Sequence, residues 1–262
     1  VGGVAKKPDE PLLWDAAVRR LPIDRPVSVE WRTDIPRSRG LSGSTALLAA
    51  TVGALRQARD EPPIDKSALA ELVRDIERNE AGIMCGYQDA YMIVYGGLLC
   101  MDFAGKHPIE PGPQATLTPL TGDLPFLLIS TDVERLSGAV HGPMSERWLR
   151  GEPAVVEGMS EVAALGREGG NALTKADWNT LAKAMNRNHE IIASLGGSGE
   201  AIDALIKACL EHGAKAAKLA GAGMGGTVIA LTENSEELKA RLLVEGYRTF
   251  MQPEITAGLA VE

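Results

Sequence analysis

The sequence predicts a mixed fold of helices and strands in two domains. Three observations carry this. A loop in which glycines alternate with hydroxyl residues, Gly40-Leu41-Ser42-Gly43-Ser44-Thr45, runs straight into a series of good helix formers. Pro108, Pro111, Pro113 and Pro119 cluster in an extended link, residues 108–119, where a domain boundary falls. Ala216–Leu219 and Thr227–Leu231 are apolar runs of strand length joined by the glycine-rich turn Ala220-Gly221-Ala222-Gly223-Met224-Gly225-Gly226. The 262 residues are enough for one large or two medium domains.

Taken in order, residues 1–8 read as a frayed loop. Glu10–Leu21 has helical spacing, with Leu12, Leu13, Ala16, Ala17 and Val18 on one side. Pro26–Thr33 alternates Val27, Val29 and Trp31 with polar residues, the pattern of a half-buried strand. A helix succeeds the glycine loop from about Ser44 to Arg59, with Ser42, Ser44 or Thr45 able to cap it, and Glu61-Pro62-Pro63 ends it. Asp65 or Ser67 opens the next helix, to about Asn79. A short helix runs from Gly86 to Tyr95 and stops at Gly96-Gly97. Leu98–Phe103 is a strand, and Leu124–Ser130 is a strongly apolar one. Ser137–Arg150 carries His141 and Arg147. Helices come next at about 153–168, 174–194 and 199–212, then the two strands around the glycine turn. Glu236–Glu245 is a last helix and Tyr247–Pro253 a last strand.

Composition narrows the function. Hydrophobic content of 45% and charged content of 24% describe a soluble globular chain. A net charge of −8 argues against nonspecific nucleic-acid binding and against a membrane-surface role. The three cysteines are odd in number and far apart, so they predict neither a disulfide framework nor a zinc site but reduced thiols in a cytoplasmic protein. The four histidines form no metal motif. No apolar run reaches the length of a membrane span and no signal peptide is visible.

The chemistry concentrates in a few places. At a helix start, unpaired backbone N–H groups and the helix dipole favour an anion, and glycine lets the backbone approach a phosphate chain closely. The 40–45 loop is therefore either an ordinary loop before a helix or a phosphate cradle. Asp89, one turn into its helix, is either a charge complementing the dipole or a carboxylate that accepts a proton or orients a hydroxyl. A hydroxyl and a carboxylate are hard oxygen ligands suited to Mg²⁺, so Ser44 with Glu77 would suffice where phosphate oxygens and water complete the octahedron. Taken alone, Glu77 is more often a solvated helix residue. His141 and Arg147 are either surface groups or holders of an anionic or hydroxylated substrate. Gly221, Gly223 and Gly226 have the spacing of a dinucleotide fingerprint, but β-branched Thr227-Val228-Ile229 comes where that motif requires a helix. The glycines thus join strand to strand, as a plain turn or as a backbone wall beside a ligand. No Gly-x4-Gly-Lys-Ser/Thr P-loop occurs.

Three stretches, in order along nearly the whole chain, resemble one family. Pro36-x3-Gly40-Leu41-Ser42-Gly43-Ser44-Thr45-Ala46 resembles the nucleotide loop of the GHMP kinases (galacto-, homoserine, mevalonate and phosphomevalonate kinases). Ala81-Gly82-Ile83-Met84-Cys85-Gly86-Tyr87-Gln88-Asp89 resembles the catalytic-aspartate segment of that superfamily's sugar kinases. Lys218-Leu219-Ala220-Gly221-Ala222-Gly223-Met224-Gly225-Gly226 resembles its third motif. Ile35-Pro36-Arg37, Val94-Tyr95-Gly96-Gly97-Leu98, Met101-Asp102-Phe103 and Ser137-Gly138-Ala139-Val140-His141 with Arg147-Trp148 point to the glucuronokinase branch.

The resemblance implies a two-domain α+β GHMP kinase fold. Residues 1–118 would form the nucleotide-binding N-terminal domain and 119–262 a ferredoxin-like C-terminal domain, with ATP between them. It implies that Arg39, Gly40, Leu41, Ser42, Gly43, Ser44 and Thr45 bind the nucleotide and that Ser44 and Glu77 hold Mg²⁺. Asp89 would act on a sugar's anomeric hydroxyl, and Gly86, Gln88, His141, Arg147, Gly221, Gly223 and Gly225 would face the substrate. A monosaccharide or uronic acid is the expected acceptor, in a cytoplasmic monomer or homodimer that binds neither nucleic acid nor membrane. The family's first motif, on an N-terminal strand and loop, has no counterpart here, so the sequence is expected to be a fragment or to lack its start. Ala90 stands where the glucuronokinase pattern carries Arg. The alternatives are a non-catalytic sugar or nucleotide sensor of the same fold and a GHMP kinase for a non-sugar alcohol. A dinucleotide-dependent oxidoreductase is disfavoured by the strand after Gly226.

Overall fold

A computed structural model describes residues 10–36, 39–107, 110, 112–133, 138–221 and 226–261, with the side chains of residues 10, 11 and 138–141 left out. The chain forms two compact units. Unit 1 comprises Val1–Ile35, Ser42–Leu117 and Ile255–Glu262, and unit 2 comprises Pro36–Leu41 and Thr118–Glu254. The glycine loop is thus shared in sequence, with Gly40 and Leu41 counted in unit 2 and Ser42 onward in unit 1.

Unit 1 is built on helices. α1 (Glu10–Arg20), α2 (Gly43–Ala58), α3 (Lys66–Asp75) and α4 (Gln88–Tyr95) bury one apolar face each. Ala16, Ala17, Leu48, Val52, Val73, Ile76, Tyr91 and Val94 form its core. Asp65 caps α3 by accepting from the Ser67 and Ala68 N–H groups, as its position before the helix predicts. α3 then widens into a π-helical turn, Ile76–Glu80, closed by the Ala81 N–H donating to the Ile76 carbonyl at 2.9 Å. α4 stops where expected, at Gly96 and Gly97, both at positive φ (66° and 76°). Beyond them β1 (Leu99–Asp102) pairs with β2 (Thr116–Pro119).

Unit 2 holds a four-stranded sheet. Its strands are β3 (Phe126–Ser130), β4 (Ala216–Leu219), β5 (Thr227–Leu231) and β6 (Phe250–Met251), in the order β4-β5-β3-β6. Neighbouring strands run antiparallel, with Leu128 opposite Ile229 and Lys218 opposite Ile229 on the other side. Between β3 and β4 run α5 (Gly138–Leu149), α6 (Pro153–Thr174), α7 (Trp178–Ser194) and α8 (Glu200–Glu211). α9 (Ser235–Val244) joins β5 to β6. Strand–helices–strand–strand–helix–strand with this order is the ferredoxin-like arrangement. Leu127, Ile129, Ile202, Leu205, Val228, Leu238 and Leu242 make its core.

Four local expectations are corrected. Residues 26–33 do not form a strand: no ladder is made there, Val29 is exposed, and Trp31 sends its indole N–H to the Thr51 hydroxyl at 3.0 Å. Alternation creates a face, but a strand also needs a neighbour to take its backbone hydrogen bonds. The proline-rich link contains β2 at Thr116–Pro119, because Leu99–Asp102 offers it an edge. The helix expected to end near residue 168 runs on to Thr174, since buried Gly169 lies close under Leu181 of α7 and close packing outweighs glycine's low propensity. Ser42 occupies the N-cap position of α2 in a left-handed conformation (φ 57°) and makes no side-chain cap.

Gly96 is a position that no other residue fits. A β-carbon there would lie 2.1 Å from the Gly258 nitrogen and 2.4 Å from the Ala257 carbonyl carbon, both backbone atoms. Gly96→Ala is expected to destabilise the protein by roughly 2 kcal/mol or more, from strain plus overpacking. A thermal melt of the variant that superimposes on the parent would contradict this account of the turn.

Candidate active site

The hydroxyls that do not cap α2 have another partner. Ser44 Oγ donates to Glu77 Oε1 at 2.9 Å, and Thr45 Oγ1 donates to Glu77 Oε2 at 2.8 Å. Thr45 is 1% and Glu77 2% exposed, so the contact closes a buried joint between α2 and the π turn. The π turn matters because its extra residue changes the angular position of the side chains beyond Ile76. The Ile83 N–H then donates to the Glu77 carbonyl at 3.0 Å, which fixes the turn from its other side.

With its side-chain hydroxyls engaged and no cap at Ser42, the first turn of α2 keeps backbone N–H groups that have no intrahelical acceptor. These groups and the helix dipole make an anion-favouring end. Burial pushes the Glu77 carboxyl above its ordinary value of 4.5. The Thr45 and Ser44 hydroxyls pull it back down, and the negative charge of Asp89 pushes it up again. That coupling places Asp89, in the first turn of α4, within electrostatic reach of Glu77. Burial also drives the Cys85 thiol up to about 12, with Glu77 adding to the rise, so it is not a thiolate nucleophile at neutral pH. All three cysteines are free.

Gly86 precedes this helix at an exposed position, and Gln88 is its first residue. In unit 2, the Thr227 hydroxyl donates to the Arg39 carbonyl at 2.9 Å, and Arg39 Nη2 lies 3.4 Å from Asp132 Oδ1. Arg39 Nη1 is buried and has no hydrogen-bond partner among the described residues. Gly40 and Gly221 both have positive φ, 72° and 69°. Gly226 is locked by the Thr131 hydroxyl, which donates to its carbonyl at 3.0 Å. Arg147 is occupied: it holds Glu152 in a two-pronged pair at 2.9 and 2.6 Å and donates to the Leu195 carbonyl at 2.6 Å. The side chain of His141, and Gly223 and Gly225, lie outside the described residues.

Unit 1 therefore gathers Ser44, Thr45, Glu77 and Asp89, while Arg39, Gly40, Leu41, Arg147 and Gly221 belong to unit 2. Two neighbours escaped the sequence reading. Arg74 is 6% exposed with its guanidinium over the Tyr87 ring at 4.1 Å. Lys106 is nearly buried beside Glu71. An arginine in a last helical turn and a lysine in a loop carry no sequence signal beyond favourable charge.

Magnesium is tested by the donor set. Glu77 presents two oxygens, each met by a hydroxyl rather than by a basic side chain among the described residues, and Ser44 supplies a further hard oxygen at the anion-favouring helix end. These groups fit Mg²⁺ shared with phosphate oxygens and water. Among the described residues there is no cluster of three or more His, Cys, Asp or Glu side chains that would hold a metal by protein ligands alone. No described helix is long and apolar enough to cross a membrane.

This combination, a ferredoxin-like sheet unit and a helical unit whose first-turn hydroxyls meet a buried carboxylate, defines a class of two-unit α+β protein with an anion-favouring helix end. Comparison with known proteins supplies the family. The model for the GHMP kinases N terminal domain matches residues 12–97, and that for the GHMP kinases C terminal domain matches residues 171–245. The chain belongs to the GHMP kinase family. It is 33% identical over 218 residues to glucuronokinase 1 of Arabidopsis thaliana, covering 81% of this chain and 59% of that protein. It is 25% identical over 233 residues to the D-glycero-alpha-D-manno-heptose 7-phosphate kinase of Campylobacter jejuni, covering 85% of this chain and 68% of that one. In fold it is similar to Lactococcus lactis galactokinase complexed with galactose, with a TM-score of 0.68 at 16% identity, over 97% of this chain and 77% of the other. The chain spans about 60% of the length of the glucuronokinases it matches.

The raised Glu77 carboxyl has a thermodynamic consequence. Its folded form holds a proton above pH 4.5 that the unfolded chain has released, so stability falls as pH rises from 4.5 through the folded value. Glu77→Gln removes the buried charge. In chelator it is expected to raise Tm at pH 7.5 by about 2–4 °C, with the gain vanishing as pH falls to about 4. A variant less stable than the parent at pH 7.5 would show that the hydroxyl contacts outweigh burial.

Proposed function

We propose that the protein is an ATP-dependent kinase that phosphorylates a sugar or uronic acid, at the anomeric hydroxyl, in the cytoplasm. The observation that carries this reading is the Ser44–Glu77–Thr45 joint at the start of α2 with Asp89 in electrostatic reach. The identity to named glucuronokinases supports the substrate class. In this reading residues 1–118 are the nucleotide-binding domain and 119–262 the second domain.

The chain's groups divide the work. The Gly40–Thr45 loop and the first-turn N–H groups of α2 bind phosphate oxygens. Arg39, anchored at Asp132, adds a cation. Ser44 Oγ and Glu77 would hold Mg²⁺, which supplies charge neutralisation on the β- and γ-phosphates when bound. Burial keeps the Glu77 carboxylate from wandering, and the Thr45 hydroxyl fixes the oxygen that Ser44 does not take. Asp89 orients the acceptor hydroxyl and takes its proton. Gln88 and Gly86, beside it, face the sugar; for Gly221, Gly223, Gly225, His141 and Arg147 a substrate role rests on the motif resemblance alone. Phosphoryl transfer asks mainly for positioning and charge stabilisation, so this small set is sufficient.

A screen of monosaccharides and uronic acids by coupled ADP release on full-length protein tests the activity. Asp89→Asn keeps the shape and removes the charge. It is expected to cut turnover by about two to four orders of magnitude, the range for loss of a general base, with little change in calorimetric binding of an ATP analogue. Near-normal turnover would reduce Asp89 to a helix-end charge. Ser44→Ala is expected to weaken Mg·ATP use, and unchanged Mg²⁺ dependence would remove Ser44 from the metal site. ATP-analogue and sugar binding with no ADP release from the parent protein would favour the sensor reading instead.

A further inference from the structure

Asp89 stands in the first turn of α4, and that turn lacks the usual anchor. Tyr87 occupies its N-cap position without any side-chain cap. The Tyr87 ring holds the turn instead. The Arg74 guanidinium lies over it at 4.1 Å from the centroid, and the Lys106 ammonium at 4.2 Å. Phe103 stacks on it at 5.9 Å. The Tyr87 hydroxyl donates to the His107 carbonyl at 2.9 Å. Both cations are poorly hydrated: Arg74 is 6% exposed, and the Lys106 side chain is 3% exposed and paired with Glu71. Attraction between a cation and an aromatic face strengthens as water is removed. Glu71 in turn accepts from the Tyr91 hydroxyl at 2.5 Å, so the same network reaches the second residue after Asp89.

The direction of the tie is what matters. Arg74 lies in the last turn of α3, directly before the π turn that carries Glu77. Lys106 and His107 lie beyond β1. The ring therefore joins the Glu77-bearing segment to the Asp89-bearing one. We infer that Tyr87 is a positioning residue for the reaction: its ring, gripped by Arg74 and Lys106, fixes Asp89 relative to Glu77. This rests on the reading of Asp89 as the carboxylate that handles the acceptor hydroxyl. A displacement of about 1 Å in a reacting group costs about 10²-fold in rate, so a loosened turn is measurable.

The test uses full-length protein. Tyr87→Leu keeps apolar volume and removes the π face; Tyr87→Phe keeps the face and drops only the hydroxyl. Tyr87→Leu is expected to lower kcat by about 10²-fold with little change in KM for ATP, and Tyr87→Phe to recover most of that loss. Lys106→Met is expected to lower kcat and Lys106→Arg to restore it, which keeps the question decidable should Tyr87→Leu fold poorly. In an Asp89→Asn background, Tyr87→Leu should cost nothing further. Normal kcat in Tyr87→Leu, with turnover lost in Asp89→Asn, overturns the positioning role and leaves the catalytic reading standing. Independent, multiplying losses in the double variant also overturn it. Normal turnover in Asp89→Asn overturns the catalytic reading, and this inference with it. If the parent protein phosphorylates no sugar, amide hydrogen exchange at Ala90, Tyr91 and Met92 decides. Faster exchange in Tyr87→Leu at unchanged Tm supports the grip on the turn, and equal exchange overturns it.

Discussion

The buried carboxylate of Glu77, shared between the Ser44 and Thr45 hydroxyls, is the contact on which the arrangement of unit 1 depends. It ties the Ser44 and Thr45 hydroxyls in the first turn of α2 to the π turn, while Ser42 at the N-cap makes no side-chain cap. The helix end keeps N–H groups that have no intrahelical acceptor, and among the described residues the Glu77 oxygens are met by hydroxyls rather than by a basic side chain. Each condition costs stability in isolation. In the proposed reading, phosphate and a divalent cation would satisfy both deficits at once. Local rules of stability are expected to fail at functional sites, and here two fail side by side.

Around that contact the unit is stiffened rather than merely filled. Leu48, Val52, Val73 and Ile76 are wholly buried, so the helices carrying Ser44 and Glu77 cannot slide without opening a cavity. The Tyr87 ring, with Arg74 and Lys106 over it, joins the same segment to α4. A π-helical turn supports this because one inserted residue re-aims Glu77 without ending the helix. The sheet unit is stabilised differently, by antiparallel ladders with one face under α8 and α9 residues such as Ile202, Leu205, Leu238 and Leu242. There Thr131 and Thr227 hydroxyls fasten Gly226 and the Arg39 backbone, so loop geometry is set from the ends of β3 and β5.

The sequence by itself determined most of the fold. Helical spacing, proline and glycine punctuation, and the β-branched run after Gly226 are local signals. They placed α1, α2, α4 and α8 and the β4–β5 pair almost to the residue. The same signals excluded a dinucleotide fingerprint, because a strand at Thr227–Leu231 is written in its own side chains. Ser44 and Asp89 are singled out by short motifs in a fixed order, and Glu77 by ligand chemistry alone. Tertiary structure decided what depends on a partner distant in sequence. The Pro26–Thr33 alternation has no neighbouring strand to complete it, and Thr116–Pro119 becomes one because β1 lies beside it. Whether Ser44 and Thr45 cap their own helix or bond to a carboxylate 33 and 32 residues away is invisible in one dimension. So is the grip of Arg74 and Lys106 on Tyr87. Periodicity reports which face of an element is apolar; only packing fixes which hydroxyl, charge or ring comes within bonding distance of another, because those energies fall away over a few ångströms.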